Sequence, residues 1–381
     1  LRFPLMALAA LSLLAALWGG LARLGWDLPP AAGSLKENHG PLMVIGFLGT
    51  LIPLERAVAL RRVWPYGAPL FAALSSLSLL IGLPLPLSQI LAALAGLVLV
   101  AIFVFLCWRQ PADFLLTMGT GAFLWLAGVA LWFRADSLHE VVPWWVGFLV
   151  LALWFRADSL HEVVPWWVGF LVLTIAGERL ELSRLMTLSR FSRATFFAAV
   201  GLFLFGLGMS LFAFAPGLGV SAAALEMLGL WLLRWDIAWR TVRQSGLPRF
   251  MAISLLSGYI WLGLAGSLWL VLGDFFVAGP RYDAMLHSVF LGFVFSMIFA
   301  HAPIIFPSIT GIAMPFYRFF YLHLALLHGS LLLRVAGDLL LWTAGQKWGG
   351  LLNVVAIVLF LANNGFSIYK GRATDRPFSH L

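Results

Sequence analysis

Charged residues are scarce in this sequence. Asp, Glu, Lys and Arg make up 10% of its 381 residues, whereas hydrophobic residues make up 62%. A soluble domain of this length needs a larger share of polar residues to cover its surface. The scarcity of charge therefore excludes a soluble globular protein and indicates an integral membrane protein.

Cysteine and the common catalytic motifs are also scarce or missing. Cys107 is the single cysteine, which excludes an internal disulfide and any iron–sulfur or cysteine-rich metal site. The sequence contains no P-loop, dinucleotide fingerprint, zinc-protease motif or Ser–His–Asp order. Its net charge of +8 comes from basic residues that flank apolar segments, so it indicates orientation in a membrane and not nucleic-acid binding.

Long apolar segments are abundant. Since they do not alternate apolar and polar residues as barrel strands do, they predict an all-α fold, in which helices satisfy the backbone within lipid. We predict a polytopic transmembrane helix bundle of about twelve spans, forming a single integral membrane domain over residues 1–381. The predicted spans are 3–22, 41–59, 66–84, 88–107, 114–133, one or two within 141–177, 195–215, 221–238, 250–272, 284–302, 319–342 and 349–368.

Basic residues predict the orientation of these spans. Lys and Arg concentrate in alternate loops, such as 56–62, 179–193 and 240–249. Loops rich in Lys and Arg remain in the cytoplasm. Twelve crossings with both termini in the cytoplasm place most of these basic loops on the cytoplasmic side. We expect a multi-pass protein of a bacterial-type inner (cytoplasmic) membrane, surrounded by the lipid bilayer, with 3–22 retained as the first span.

A perfect tandem copy interrupts the chain, since residues 130–151 recur without change at 152–173. Identity over 22 residues differs from the divergent similarity of a repeat fold and indicates a recent duplication or a sequence error. The apolar segment Val141 to Phe155, which begins in the first copy and ends in the second, would make roughly 22 Å of helix, which is short for a bilayer core of about 30 Å. We therefore predict that the two copies add no net crossing.

The segment from Ala284 to Gly311 carries the main functional signal, because this apolar span contains two histidines. His287 and His301 are fourteen residues apart, which places both on one helix face, roughly 21 Å apart along the axis. Pro303 and Pro307 would kink or end the helix beside His301. Ionisable side chains in a span face a packed interior or a cavity. His287 and His301 are therefore either hydrogen-bonded to other helices or ligands of a metal or haem at two depths in the membrane.

Other histidines lie at matching predicted depths. His39 lies at the outer end of the second span, near the depth of His287, whereas His323 and His328 lie near the depth of His301. Haem iron takes axial nitrogens from facing helices at one depth. We predict an outer pair, His39 with His287, and an inner pair, His301 with His323 or His328. Copper is an alternative metal for the same imidazoles.

Charged side chains in the spans give weaker signals. Glu55 and Glu178 each precede an arginine near a predicted cytoplasmic helix end; they form local ion pairs or a proton path to a buried redox centre. Arg334 lies well within its span and needs a specific partner. Asp338 is one candidate, and a haem propionate is another, because guanidinium binds carboxylates bidentately.

Three spans share a weak internal similarity. Gly46-Phe47, Gly169-Phe170 and Gly292-Phe293 each follow a histidine and precede, nine residues after the glycine, a glutamate or a histidine. This pattern indicates that the three spans occupy related places in an internally repeated bundle. The upstream histidines are His39, His161 and His287.

Several of these motifs resemble the NnrS-type haem–copper membrane proteins. Leu286-His287, Gly292 and Thr310-Gly311 match the late helix of that family, and the segment from Gly258 to Leu262 resembles the preceding helix with its Gly-Tyr-x-Trp-Leu core. His39 followed by Gly46-Phe47 is similar to the family's second helix. The family's Asn-Trp-Thr-Gly sequence after that helix is absent, so the chain resembles a distant branch.

The resemblance implies b-type haem, copper, and a role in the response to nitric oxide or in membrane electron transfer, with a membrane redox partner. It does not decide whether the protein is an enzyme. Two other classes remain open: a small-molecule transporter, and a non-catalytic subunit of a larger membrane complex. Broken helices in corresponding positions of two halves would favour a transporter, and the break at 303–307 has no clear counterpart in the sequence.

Overall fold

The computed structural model describes residues 1–29, 35–135, 159–183, 186 and 188–374. Regular structure in these residues is helical throughout, which confirms the prediction of an all-α fold. The chain divides into two compact units. Unit one comprises Leu1–Ala224 and Trp269–Ala278, and unit two comprises Leu225–Leu268 and Gly279–Leu381.

The described residues form a series of long helices joined by short connections. We number them α1 Arg2–Arg23, α2 His39–Leu60, α3 Gly67–Leu80, α4 Leu85–Arg109, α5 Asp113–Ala135, α6 Leu160–Leu182, α7 Arg190–Ser210, α8 Phe214–Trp235, α9 Gly246–Leu272, α10 Pro280–Thr310, α11 Phe320–Leu339 and α12 Thr343–Thr374.

Eleven of the helices in the described residues are long and apolar enough to cross a membrane, so the protein is a multi-pass membrane protein. The exception is α3, which matches the predicted span 66–84 but has 14 residues. An α-helix of that length measures roughly 21 Å, and the preceding 3₁₀ turn Trp64–Tyr66 adds about 6 Å. The number of twelve crossings and the cytoplasmic termini remain predictions.

The ends of α10 follow from its sequence. Pro280 occupies the first turn, where a missing N–H costs no hydrogen bond. The helix continues through Pro303 and Pro307 and ends where Gly311 adopts a left-handed conformation with φ 73°. The sequence predicted that the two prolines would either kink the helix or end it beside His301. They do not end it.

Two helices contain π-helical segments, Leu42–Leu48 in α2 and Ser288–Phe295 in α10. Each segment contains one of the Gly-Phe pairs of the internal similarity, Gly46-Phe47 or Gly292-Phe293. The third pair, Gly169-Phe170, lies in regular α-helix within α6. Two of the three spans that share the internal sequence similarity therefore also share a π-helical backbone at the Gly-Phe pair.

Close helix contacts require both glycines of the π segments. A Cβ atom on Gly46 would lie 2.7 Å from the Cβ of Ser76, and one on Gly292 would lie 2.5 Å from the Cγ of Trp261. Likewise, a Cβ on Gly258 would lie 2.4 Å from the Cε of Met297. The α9 and α10 motifs that resemble NnrS proteins therefore pack directly against each other, through small residues that allow close approach.

The tandem copies lie partly outside the described residues. Helix α5 includes residues 130–135 of the first copy, and α6 includes residues 160–173 of the second. Residues 136–158 are outside the described part of the chain. The prediction that the copies add no net crossing concerns those residues and stays a prediction.

Candidate functional site

A buried arginine–aspartate pair joins α10 to α11 in unit two. Arg334 donates from Nε to Oδ2 of Asp283 at 2.7 Å and from Nη2 to Oδ1 at 2.9 Å. The exposed fractions of the two side chains are 8% and 24%. This bidentate geometry is the strong form of a guanidinium–carboxylate contact. The predicted specific partner of Arg334 is thus Asp283 on the neighbouring helix.

His287 belongs to the same cluster. Its Nδ1 lies 2.9 Å from the carbonyl oxygen of Asp283 and 3.2 Å from the Oδ1 of that residue. Both of these atoms are acceptors, so Nδ1 carries the hydrogen and the lone pair of the neutral ring is on Nε2. Arg334, Asp283 and His287 therefore form a chain in which the arginine holds the aspartate and the aspartate orients the imidazole.

Asp338 completes the cluster from α11, one turn beyond Arg334. Its side chain lies beside Asp283, it is buried, and its Oδ2 has no hydrogen-bond partner among the described residues. Helix α12 packs closely here, since a Cβ on Gly349 would lie 2.5 Å from the backbone nitrogen of Arg334. The cluster thus combines two carboxyl groups with one guanidinium and one imidazole.

His39 in unit one has an environment similar to that of His287. Its Nδ1 lies 2.6 Å from the carbonyl oxygen of Ala16 in α1. A Cβ on Gly20 would lie 3.0 Å from the Cε1 atom of the ring, so a glycine is needed where the imidazole rests on α1. The contact with a carbonyl oxygen again places the hydrogen on Nδ1 and the lone pair on Nε2.

His301 in α10 also contacts a backbone carbonyl oxygen through its Nδ1. Its Nδ1 lies 2.7 Å from the carbonyl oxygen of Met297, four residues earlier. The neutral ring consequently presents its lone pair at Nε2. His39, His287 and His301 therefore share one tautomer, which is the tautomer of a metal ligand whose other ring nitrogen binds a carbonyl oxygen.

His328 has the opposite tautomer. The indole Nε1 of Trp261, which can only donate, lies 3.0 Å from the Nδ1 of His328. The ring must accept this hydrogen bond at Nδ1, so its own hydrogen is on Nε2. A neutral imidazole in this state has its hydrogen on Nε2, so binding of a metal by that nitrogen requires loss of the hydrogen bond from Trp261; His328 as an inner ligand stays a prediction.

His323 is enclosed by aromatic side chains in unit two. Its Nδ1 lies 2.9 Å from the Nδ2 of Asn363, and the Nε2 is buried with no hydrogen-bond partner among the described residues. The amide of Asn363 can face the ring with its nitrogen or its oxygen, and so can serve either tautomer. The surrounding rings are Phe299 at 4.7 Å, Phe360 at 5.4 Å, Phe320 at 5.6 Å and Phe250 at 6.0 Å between centroids.

The predicted histidine pairs remain predictions. In unit two, His301, His323 and His328 each make a separate hydrogen bond, to Met297, Asn363 and Trp261. No group of three or more His, Cys, Asp or Glu side chains in the described residues is placed to hold a metal ion. The two histidines of the predicted outer pair, His39 and His287, belong to different units.

The glutamates of the predicted proton path lie at a second charged cluster, in unit one. Arg56 donates from Nη2 to Oε1 of Glu178 at 2.5 Å, which links α2 to α6. Glu55 and Glu181 lie close enough to interact with the same guanidinium. Arg56, the residue after Glu55, thus forms its ion pair with Glu178 of another helix. The predicted ion pairs were local, between each glutamate and the arginine that follows it, and this pair is not local.

Two residues that define these environments, Asp283 and Asn363, were not among the predicted site residues, and Trp261 was named only as part of the Gly-Tyr-x-Trp-Leu motif. Asp283 had a readable signal, because it lies four residues before His287, the spacing at which helix side chains meet. Asn363 had none, since it is 40 residues from His323, and the motif that contains Trp261 did not indicate its contact with His328, 67 residues away.

Comparison with known proteins identifies a family but no activity. The sequence profile of a family described as a domain of unknown function, DUF8744, matches residues 2–153 and 151–367. These two matches meet at the junction of the tandem copies. No curated protein matches the chain. The function must therefore be argued from the residues themselves.

Proposed function

This chain belongs to the DUF8744 family, and we propose that it is a haem-binding integral membrane protein that serves the response to nitric oxide or membrane electron transfer. In this proposal His39 and His287 are iron ligands, the haem is of the b type, and copper is a further metal that the imidazoles suit. The membrane is a bacterial-type inner membrane, and a membrane redox partner supplies or receives the electrons.

The observation that carries the proposal is the shared tautomer of His39 and His287. A metal-binding histidine donates its other ring N–H to a carbonyl or carboxylate, which fixes the ring and makes the ligand nitrogen more basic. The Nδ1 distances of 2.6 Å to Ala16 and 2.9 Å to Asp283 match this requirement. His301 meets it as well, so it supports the inner ligand position.

The chain's own residues would hold such a ligand in place. Asp283 accepts from His287, and the bidentate contact with Arg334 limits the movement of Asp283. Gly20 leaves room for the ring of His39 against α1. A haem held by imidazole supplies one-electron transfer and a binding place for diatomic gases. His39 and His287 are half-buried, which limits the access of water to a ligand bond.

Optical spectroscopy of the purified protein tests the proposal. We expect a Soret band in the wild type and its reduction in both His39→Ala and His287→Ala. The matched control is His328→Ala, because Trp261 holds that ring in the wrong tautomer, and this variant should keep the band. Complete loss in each single variant indicates one shared haem, whereas partial loss indicates two. A wild type with no Soret band and no bound metal refutes the proposal.

A transporter is the second candidate, and the paired π segments favour it. The π-helical segments of α2 and α10, each at a Gly-Phe pair, are irregular helix in corresponding positions of the internal similarity, and neither lies at Pro303 or Pro307. Because Cys107 is the single cysteine, a Cys107→Ser background allows single cysteines at Met43 and Phe290, within these segments. Labelling of both positions from both membrane sides by an impermeant thiol reagent, without a Soret band, supports transport; labelling from one side opposes it.

A further inference from the structure

One end of unit one collects exposed positive charge. Arg61 and Arg62 follow α2, and Arg109 ends α4, while residues 57–112 contain no Asp or Glu. All three arginines are exposed. In the described part of the chain, the ion pairs involve other residues, so none of these guanidinium groups is neutralised by a carboxylate.

A single aromatic ring fixes two of these charges. The guanidinium carbons of Arg62 and Arg109 each lie 4.9 Å from the centre of the Phe105 ring. Since both distances refer to the same centre, the two charges can be no further apart than twice that distance. Cation–π contact holds the guanidinium groups in place without neutralising them. The result is a preorganised pair of donors that no ion pair in the described residues neutralises.

Apolar side chains surround the pair. Trp108 is 82% exposed and Val63 is 83% exposed, and Trp64 packs edge-on against Phe105 with centroids 5.9 Å apart. Exposed tryptophan beside arginine at the ends of apolar helices is typical of the headgroup level of a membrane. A soluble anion would not require this apolar surface, whereas a lipid would contact both parts at once.

We infer that Arg62, Arg109 and Phe105 form a binding site for the headgroup of an anionic phospholipid, whose acyl chains lie along Trp108 and Val63. Arg61 adds charge at the rim. The basic loops of this unit are predicted to face the cytoplasm, where the membrane leaflet is rich in anionic lipid. This inference is independent of the haem proposal, because it involves none of the histidines.

Native mass spectrometry of the full chain in a neutral detergent tests the site. We expect phosphatidylglycerol to bind more tightly than phosphatidylcholine, and Arg62→Gln and Arg109→Gln each to weaken that preference roughly fivefold. Phe105→Leu keeps both charges but releases them from the ring, so it should also weaken binding. Arg62→Lys should retain most of the preference because the charge remains.

The matched control is Arg190→Gln, which removes one exposed positive charge from another predicted cytoplasmic loop of unit one and breaks no ion pair with Asp113. An equal loss in this variant would show that general surface charge, and not this site, binds the lipid. Equal binding of the two lipids by the wild type also overturns the inference. If inorganic phosphate displaces phosphatidylglycerol from the wild type at comparable concentration, the site takes free phosphate and the lipid assignment is wrong.

Discussion

Two interhelical arginine–carboxylate pairs, one in each unit, differ in how the arginine is held. Arg334 in unit two binds both oxygens of Asp283, through Nε and Nη2. Arg56 in unit one contacts one oxygen of Glu178 through Nη2, and its Nε is buried without a hydrogen-bond partner among the described residues. The first arginine is therefore fully oriented by its partner, and the second is not.

The neighbours of the two pairs show what this difference means. Asp283 also accepts from His287, so the geometry of Arg334 determines the position of an imidazole. Arg56 instead lies among the carboxylates of Glu55, Glu178 and Glu181, with no histidine among these partners. A rigid pair suits the support of a ligand, whereas a looser pair among several carboxylates suits helix association or proton movement.

Removal of Arg334 should have the largest effect. Arg334→Ala leaves Asp283 and Asp338 together without a cation, and loss of one partner from a buried pair costs about 3–5 kcal/mol. Reversible unfolding in mixed micelles measures this change in the free energy of unfolding. If the variant is as stable as the wild type, the pair does not form in the membrane.

Removal of Arg56 should cost less. Arg56→Ala loses one charge-assisted hydrogen bond to Glu178, worth about 2 kcal/mol, whereas Arg334→Ala loses two to Asp283. The same unfolding measurement applies. An effect of Arg56→Ala that equals that of Arg334→Ala would remove the distinction between a rigid and a loose pair.

The contrast also shows how far the sequence predicts the molecule. Apolar segments predicted the helices, because helix formation in lipid depends on local composition, and the span predicted at 284–302 lies within α10. Arg334 was correctly singled out, because charge within a span is costly. Its partner was not identified, since the spacing along α11 pointed to Asp338 while Asp283 lies on another helix.

The histidines show the same limit. The rise of a helix predicts the depth of each imidazole in the span. Its tautomer depends on a donor or acceptor from elsewhere, such as Trp261 for His328 or Ala16 for His39. Those contacts follow from helix packing, which short-range patterns do not encode.

Lysine substitution should sharpen the contrast between the pairs. Arg334→Lys keeps the charge but loses the planar fork, so one of the two hydrogen bonds to Asp283 disappears. Arg56→Lys keeps the single contact that Arg56 makes with Glu178. We expect Arg334→Lys to be about 1 kcal/mol more destabilising than Arg56→Lys. Equal losses would mean that the second hydrogen bond of Arg334 adds nothing.

Asp338→Asn should have the smallest effect and the opposite sign. The carboxyl of Asp338 lies beside Asp283 and leaves Oδ2 without a hydrogen-bond partner among the described residues. An amide cannot carry a negative charge beside Asp283, and it supplies an N–H that can donate to that residue. We expect stabilisation of about 1 kcal/mol or less. Destabilisation would instead show that the cluster needs the second carboxyl, and that Arg334 serves two anions and not one.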